Sequence, residues 1–213
     1  MIRISTQSEP VGFDEKVRIP GKKWLEGCEF YDPFHSDIRK QVPKKTKFPD
    51  LWCNISKEIH HVYHGICAYL GIYFEQPSGA SSVDHFLPKT LYPGLAYEWT
   101  NYRLASLGIN RKKGKREDIM DPFLVPDHAF QLNLLSGDIF PNPEAVQEEQ
   151  LLVKQTIDGL DLNAVNIKEM RCRHFTEYVK GDVSRNYMQT HSPYVWAEIE
   201  RQNLVICSSE KNS

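Results

Sequence analysis

The run Val83-Asp84-His85-Phe86-Leu87-Pro88-Lys89 sets a carboxylate, an imidazole and a cation close together. Two further runs, Trp99-Thr100-Asn101-Tyr102-Arg103-Leu104 and Asn110-Arg111-Lys112-Lys113-Gly114-Lys115, add two carboxamides and a cluster of cations. That set suits hydrolysis of a phosphodiester, which needs an activated water, neutral charge on the phosphate and a stabilised leaving oxygen. His85 is the candidate general base, because an unperturbed imidazole titrates at about 6.5 and is largely neutral at cellular pH. On a strand Asp84 and His85 point to opposite faces, so one can hold a cation while the other takes a proton. A hard divalent ion, Mg2+ or Mn2+, prefers oxygen ligands and keeps several waters, and Asp84 with Asn110 offers two such oxygens. Asn101 is then placed to orient the histidine ring, and Arg111, Lys113 and Lys89 to contact substrate phosphate. A lone Asp-His pair is more often a surface turn or a satisfied buried histidine. The ordered combination of all three runs is what favours catalysis.

The elements that must position these residues are short. Leu51, Ile55, Ile59, Val62, Tyr63 and Ile66 recur at helical spacing, which predicts a helix from Asp50 to about Gly65. His60 and His64 would share its last turn at i, i+4, a spacing able to chelate a metal, but no acidic third ligand stands nearby. Ile72-Tyr73-Phe74 and Val83-Asp84-His85-Phe86 are β-favourable runs around the turn-rich Gln76-Pro77-Ser78-Gly79, and a hairpin between them is expected. A short cationic helix follows from Arg111. Further on, a strand is expected over 131–135 and helices over 143–159, 165–180 and 193–202, the first capped by Asn142 with Pro143 at its opening position.

The expected class is α+β, with the catalytic runs in a mostly helical body. Residues 1–49 read as an extended N-terminal arm, interrupted by Pro10, Pro33, Pro43 and Pro49, with Trp24, Leu25, Phe30, Tyr31 and Phe34 as apolar handles. Residues 50–125 form the candidate nuclease core with its preceding helix, 126–207 a mainly helical C-terminal region, and 208–213 a polar tail.

The formal net charge of -2 excludes a protein that coats nucleic acid over its whole surface, so phosphate contact must be local. Arg103, Arg111, Lys112, Lys113, Lys115 and Arg116 form one basic cluster, and Lys40, Lys44, Lys45 and Lys47 a second. Without the neighbouring motif, solvated faces would be the simpler explanation of both. Five scattered cysteines fit reduced thiols, and with no secretory core or stretch of about 20 apolar residues a cytoplasmic, membrane-free location is expected.

Over about residues 67–116 the sequence resembles the HNH endonuclease family, whose ββα-metal fold presents a strand-borne Asp-His, a central Asn and a closing His or Asn on the helix. The resemblance implies His85 as general base, Asp84 and Asn110 as metal ligands and Asn101 as the orienting residue. Many of those proteins carry a zinc on two Cys-x-x-Cys knuckles. Cys67-Ala68-Tyr69-Leu70 keeps one cysteine and Ala105-Ser106-Leu107-Gly108-Ile109 none, so no structural zinc is expected here.

Val11-Gly12-Phe13-Asp14, Gly21-Lys22-Lys23-Trp24-Leu25, Ile119-Met120-Asp121-Pro122-Phe123 and Ser192-Pro193-Tyr194-Val195 are similar to the PtuB-like nucleases of Septu antiphage defence, also found beside some retrons. That resemblance implies a PtuA-like ATPase partner, and through it a retron RNA/DNA assembly. The alternative functions are a partner-binding subunit with a vestigial nuclease centre and an RNase acting on structured RNA in place of a DNase.

Overall fold

Strand β3 (Ser81–His85) and strand β4 (Tyr102–Ser106) carry the candidate site, and the rest of the fold fixes how they meet. The computed structural model describes residues 1–35, 37–76 and 81–206. Most of the expected turn at 76–79 and all of the tail at 208–213 lie outside the described residues. The class is α+β: helices around three two-stranded antiparallel sheets.

The expected hairpin between residues 72–74 and 83–86 does not form. Strand β2 (Ile72–Tyr73) pairs instead with strand β1 (Ile66–Cys67), while β3 pairs with β4 in the register Asp84 to Arg103 and His85 to Tyr102. The loop over 86–101 joins β3 to β4, and helix α3 (Leu107–Lys113) follows at once. Short-range turn signals favoured the nearer partner. The longer loop wins because Asn101 ties it shut, its Oδ1 accepting from the Leu87 amide at 2.8 Å and its Nδ2 donating to the Leu87 and Leu95 carbonyls at 2.9 and 3.1 Å.

The N-terminal arm is less extended than its prolines suggest. A π-helical turn, Asp14–Arg18, runs into helix α1 (Ile19–Glu26), with Pro20 tolerated near its start, where an amide hydrogen has no helical partner. Phe13, Val17 and Leu25 are buried from this helix, and Val42 and Phe48 from the irregular chain after it. They share one apolar core with Ile55, Ile59, Val83, Tyr102 and Leu104. The helix expected to reach Gly65 is split into a 3-10 turn, Leu51–Ile55, and helix α2 (Ser56–Val62). His64 falls beyond it at φ +52°, off the face of His60, whose Nε2 donates to the Phe74 carbonyl at 2.8 Å.

The C-terminal region builds a second core around Val153, Ile157, Leu160, Val195 and Ile199, which takes in Ala105 and Ile109 from the site's own elements. Strand β5 (Phe130–Leu132) pairs with strand β6 (Ile139–Pro141), the latter unforeseen. Helices α4 (Gln147–Leu160), α5 (Val165–Lys180), α6 (Arg185–His191) and α7 (Pro193–Arg201) complete the region. Asn142 does not cap α4: its Oδ1 accepts from the Glu144 amide in a preceding turn, and the helix starts after Val146. Among the described residues, no helix is long and apolar enough to cross a membrane.

Two outcomes test these packings. A Cβ built on Gly21 would lie 2.2 Å from the Tyr97 ring, so α1 can press on the 86–101 loop only through a glycine. Gly21→Ala is expected to lower unfolding free energy by about 1–3 kcal/mol in urea titration, the usual range for overpacking. His174 on α5 meets the Ser192 Oγ at 2.5 Å, and burial pushes its pKa below the ordinary histidine value. The folded state therefore resists a proton that the unfolded chain accepts, and stability falls as pH drops below about 6.5. His174→Gln should flatten that part of the stability profile relative to wild type.

Candidate active site

Asp84, His85 and Asn110 line one cavity of about 300 Å³, together with Ser82, Lys89 and Lys115. The antiparallel pair brings the first two to the mouth of the hairpin, and α3, which begins directly after β4, swings Asn110 back across β3. Its Nδ2 donates to the Ser82 Oγ at 2.6 Å and to the Val83 carbonyl at 3.2 Å. Both amide protons are thereby used. Oδ1 is left with no partner among the described residues.

The Asp84 carboxylate is buried and nearly enclosed by donors. The Tyr69 hydroxyl donates to Oδ2, and the Lys113 ammonium stands 3.2 Å from Oδ1. Burial raises the Asp84 pKa against the opposing pull of Lys113, and burial lowers that of Lys113 against the pull of Asp84. Desolvation thus outweighs the attraction at both ends of the pair, the ordinary balance for a buried ion pair.

Lys113 was expected to reach a substrate phosphate, and the structure corrects this. Its side chain is wholly buried, and its ammonium donates to the His85 and Phe86 carbonyls at 2.9 and 2.8 Å as well as facing Asp84. Arg103 is likewise internal. It forks onto Asp121 at 2.9 and 2.7 Å, donates to the Thr100 and Tyr102 carbonyls, and lies 3.6 Å from the centre of the Phe123 ring. Two members of the basic cluster therefore support the site from within. Gly114 ends α3 at φ +52°, a conformation that suits glycine, and with Lys115 it lines the cavity. Lys89 lines it too, held at 3.1 Å by Asp50. Arg111 is exposed and outside the cavity lining.

His85 is oriented by a backbone carbonyl, where an Asn101 side-chain contact was expected. Nε2 donates to the Ala96 oxygen at 2.8 Å, and the Tyr102 ring sits edge-on to the imidazole with centres 5.1 Å apart. A carbonyl can only accept, so Nε2 holds the proton and Nδ1 keeps its lone pair in the neutral ring. Asn101 acts one step away by closing the loop that carries Ala96. Although part of His85 stays accessible, burial, aided by the charge on Lys89, pulls its pKa down to about 3. The ring is neutral at cellular pH.

Sequence reasoning missed Tyr69, Asp121 and Ala96. Tyr69 and Asp121 lie outside the three motif runs, and a backbone carbonyl carries no residue-type signal at all. Among the described residues, no three His, Cys, Asp or Glu side chains gather as a metal group.

No protein-family model matches the chain. Over 100 residues it is 29% identical to the Septu protein PtuB of Bacillus thuringiensis, a stretch that takes in 47% of this chain and 37% of that protein. The chain is thus similar to a Septu protein over less than half of its own length and over little more than a third of that protein's.

The buried pair yields a stability test. Lys113→Met would strand the Asp84 charge and should cost about 3–5 kcal/mol. Asp84→Asn combined with Lys113→Met should recover a measurable part of that loss in urea titrations run with EDTA. Simple additivity of the two substitutions would mean that the pair is not coupled.

Proposed function

We propose that this chain is a divalent-metal-dependent endonuclease of the HNH type, with β3, β4 and α3 as its ββα unit, that hydrolyses phosphodiester bonds of nucleic acid. The observation that carries the reading is the single cavity lined by Asp84, His85 and Asn110, with the Nε2 proton of His85 tied to Ala96. That tie leaves Nδ1 as the nitrogen able to take a proton from water. The depressed pKa makes His85 by itself a weak base, but an anionic phosphate in the cavity would raise it and offset the lowering by Lys89 and Lys113.

The residues fit Mg2+ or Mn2+. Asp84 retains lone pairs beyond those used by Tyr69 and Lys113, and the Oδ1 of Asn110 has no partner among the described residues, so these two side chains would hold the ion while solvent fills its other positions. When bound, such an ion supplies neutralisation of the scissile phosphate and of charge on the leaving oxygen. The chain's own work is to oppose protonation of the carboxylate through Lys113, hold the imidazole in one tautomer through Ala96, and present Lys89 and Lys115 to phosphate oxygens. Arg111, exposed at the α3 surface, is placed to meet a more distant phosphate.

The PtuB similarity supports a place in antiphage defence of the Septu kind, in the cytoplasm, with a PtuA-like ATPase as partner and, in retron-associated systems, an RNA/DNA assembly reached through that ATPase. Cleavage of labelled DNA and RNA by the chain copurified with its ATPase, in Mg2+, tests the assignment. His85→Ala should lower the rate by about 100-fold or more, the usual contribution of a general base, and EDTA should abolish cleavage by the wild type. Equal cleavage by His85→Ala and wild type would overturn the reading.

A further inference from the structure

One part of the cavity wall comes from the segment leading into α2 and from the loop over 86–101, through Asp50, Trp52 and Thr90. The chain has four tryptophans. Trp24, Trp99 and Trp196 each pack against at least one other aromatic ring. Trp52 has no ring partner and no hydrogen bond on its indole nitrogen among the described residues, and it is only partly buried while lining the cavity. Trp52 packs on the apolar core that holds Val83 and Tyr102 while it lines the cavity, and beside it the Thr90 Oγ1 is sheltered from solvent yet makes no hydrogen bond among the described residues.

The arm continues this wall. Val42 and Phe48 are buried, the Lys40 amide donates to the Leu91 carbonyl at 2.8 Å, and the Tyr97 hydroxyl donates to the Pro49 carbonyl at 3.1 Å. Between these anchors Lys44, Lys45 and Lys47 are exposed and without an ion-pair partner among the described residues. The stretch is thus docked beside the cavity by its apolar residues, with its cations turned out to solvent.

We propose that this wall is a subsite for an unpaired nucleotide next to the scissile phosphate. Trp52 stacks on the base, the Thr90 hydroxyl donates to a phosphate or sugar oxygen, and Lys44, Lys45 and Lys47 follow the backbone beyond. A base can reach the indole only when it is not stacked within a duplex, so the substrate class is single-stranded nucleic acid or a looped-out segment. The inference rests on the nuclease reading above.

The test uses the full chain carrying His85→Ala, so that binding is read without cleavage, with Mg2+ present. Fluorescence anisotropy compares a labelled single-stranded oligonucleotide, as DNA and as RNA, with a blunt duplex of the same sequence. The parent should prefer the single strand. Trp52→Ala should weaken that binding about ten-fold, in line with the loss of one base–aromatic stack, and leave duplex binding nearly unchanged. Trp52→Phe, which keeps a ring in place, should retain most of the affinity. The inference is overturned if Trp52→Ala binds single strands as tightly as the parent, or if it loses single strand and duplex alike while Trp52→Phe does the same. Cleavage with His85 intact separates this from the function itself: an active enzyme indifferent to Trp52 leaves the nuclease standing without the subsite. A chain that neither binds nor cleaves any polynucleotide removes both.

Discussion

A carboxylate held inside the protein is the constraint around which this fold is organised. Asp84 lies between Tyr69, Lys113 and its cross-strand neighbour Arg103, and Arg103 is in turn matched by Asp121. Removing charge from water is costly, and an interior of low polarizability tolerates it only when charges are paired and hydrogen-bonded. Here two acids and two bases balance, and the donors that remain are taken up by main-chain carbonyls of the loop ends, Thr100 and Tyr102 at one side and His85 and Phe86 at the other. The network therefore fixes more than a charge. It clamps the end of β3 to the start of β4 and pulls α3 against both.

The histidine depends on the same clamp by a different route. Its ring is aimed by the Ala96 carbonyl, and Ala96 sits in a long irregular loop that would not hold a position by itself. Asn101 closes the base of that loop, the Tyr102 hydroxyl donates to the same Ala96 oxygen at 3.1 Å, and Tyr97 is wedged against Gly21 of α1. A residue that touches no reacting atom can thus control the tautomer of one that would. The aim of the imidazole is thus supported through three successive elements: the loop, the amide that closes it and the arm helix pressed on it.

Much of this was legible in the residues and some of it could not be. Asp84, His85 and Asn110 were identified from type and order, and the structure does bring them to one cavity. The helix expected over 165–180 has the bounds of α5. Strand pairing failed, because a two-residue strand such as β2 carries almost no periodicity and the choice between a near and a far partner rests on side-chain hydrogen bonds that appear only in three dimensions. The role of Asn101 was displaced for the same reason: spacing suggested a contact with the imidazole, whereas the amide satisfies backbone groups of Leu87 and Leu95. The arm misled in the other direction. Its prolines argue for extension, but Pro20 sits where a helix accepts it, and Val17 and Leu25 supply the buried stripe that stabilises the turn around it.

Charge gives the most instructive discrepancy. A run of cations in sequence invites the inference of a cationic surface, yet Arg103 and Lys113 are among the buried charged residues of the described chain, while Lys112 is spent on Asp161 at 2.5 Å. Helix periodicity explains the sorting: with about 3.6 residues per turn, Ile109 and Lys113 fall on the inward face of α3 and Arg111, Lys112 and Lys115 fall outward or beyond it. The inward lysine neutralises Asp84, and the outward cations remain for solvent or for an anion. One short helix therefore supplies the counter-charge that makes a buried carboxylate tolerable and a carboxamide of the cavity lining, and the residues just past its end, Gly114 and Lys115, continue that lining. A shift of α3 by one residue would set either Gly114 where the Lys113 ammonium faces Asp84 or Ile109 where Asn110 donates to Ser82 and Val83, so the buried charge pair and the carboxamide together hold the register of this helix.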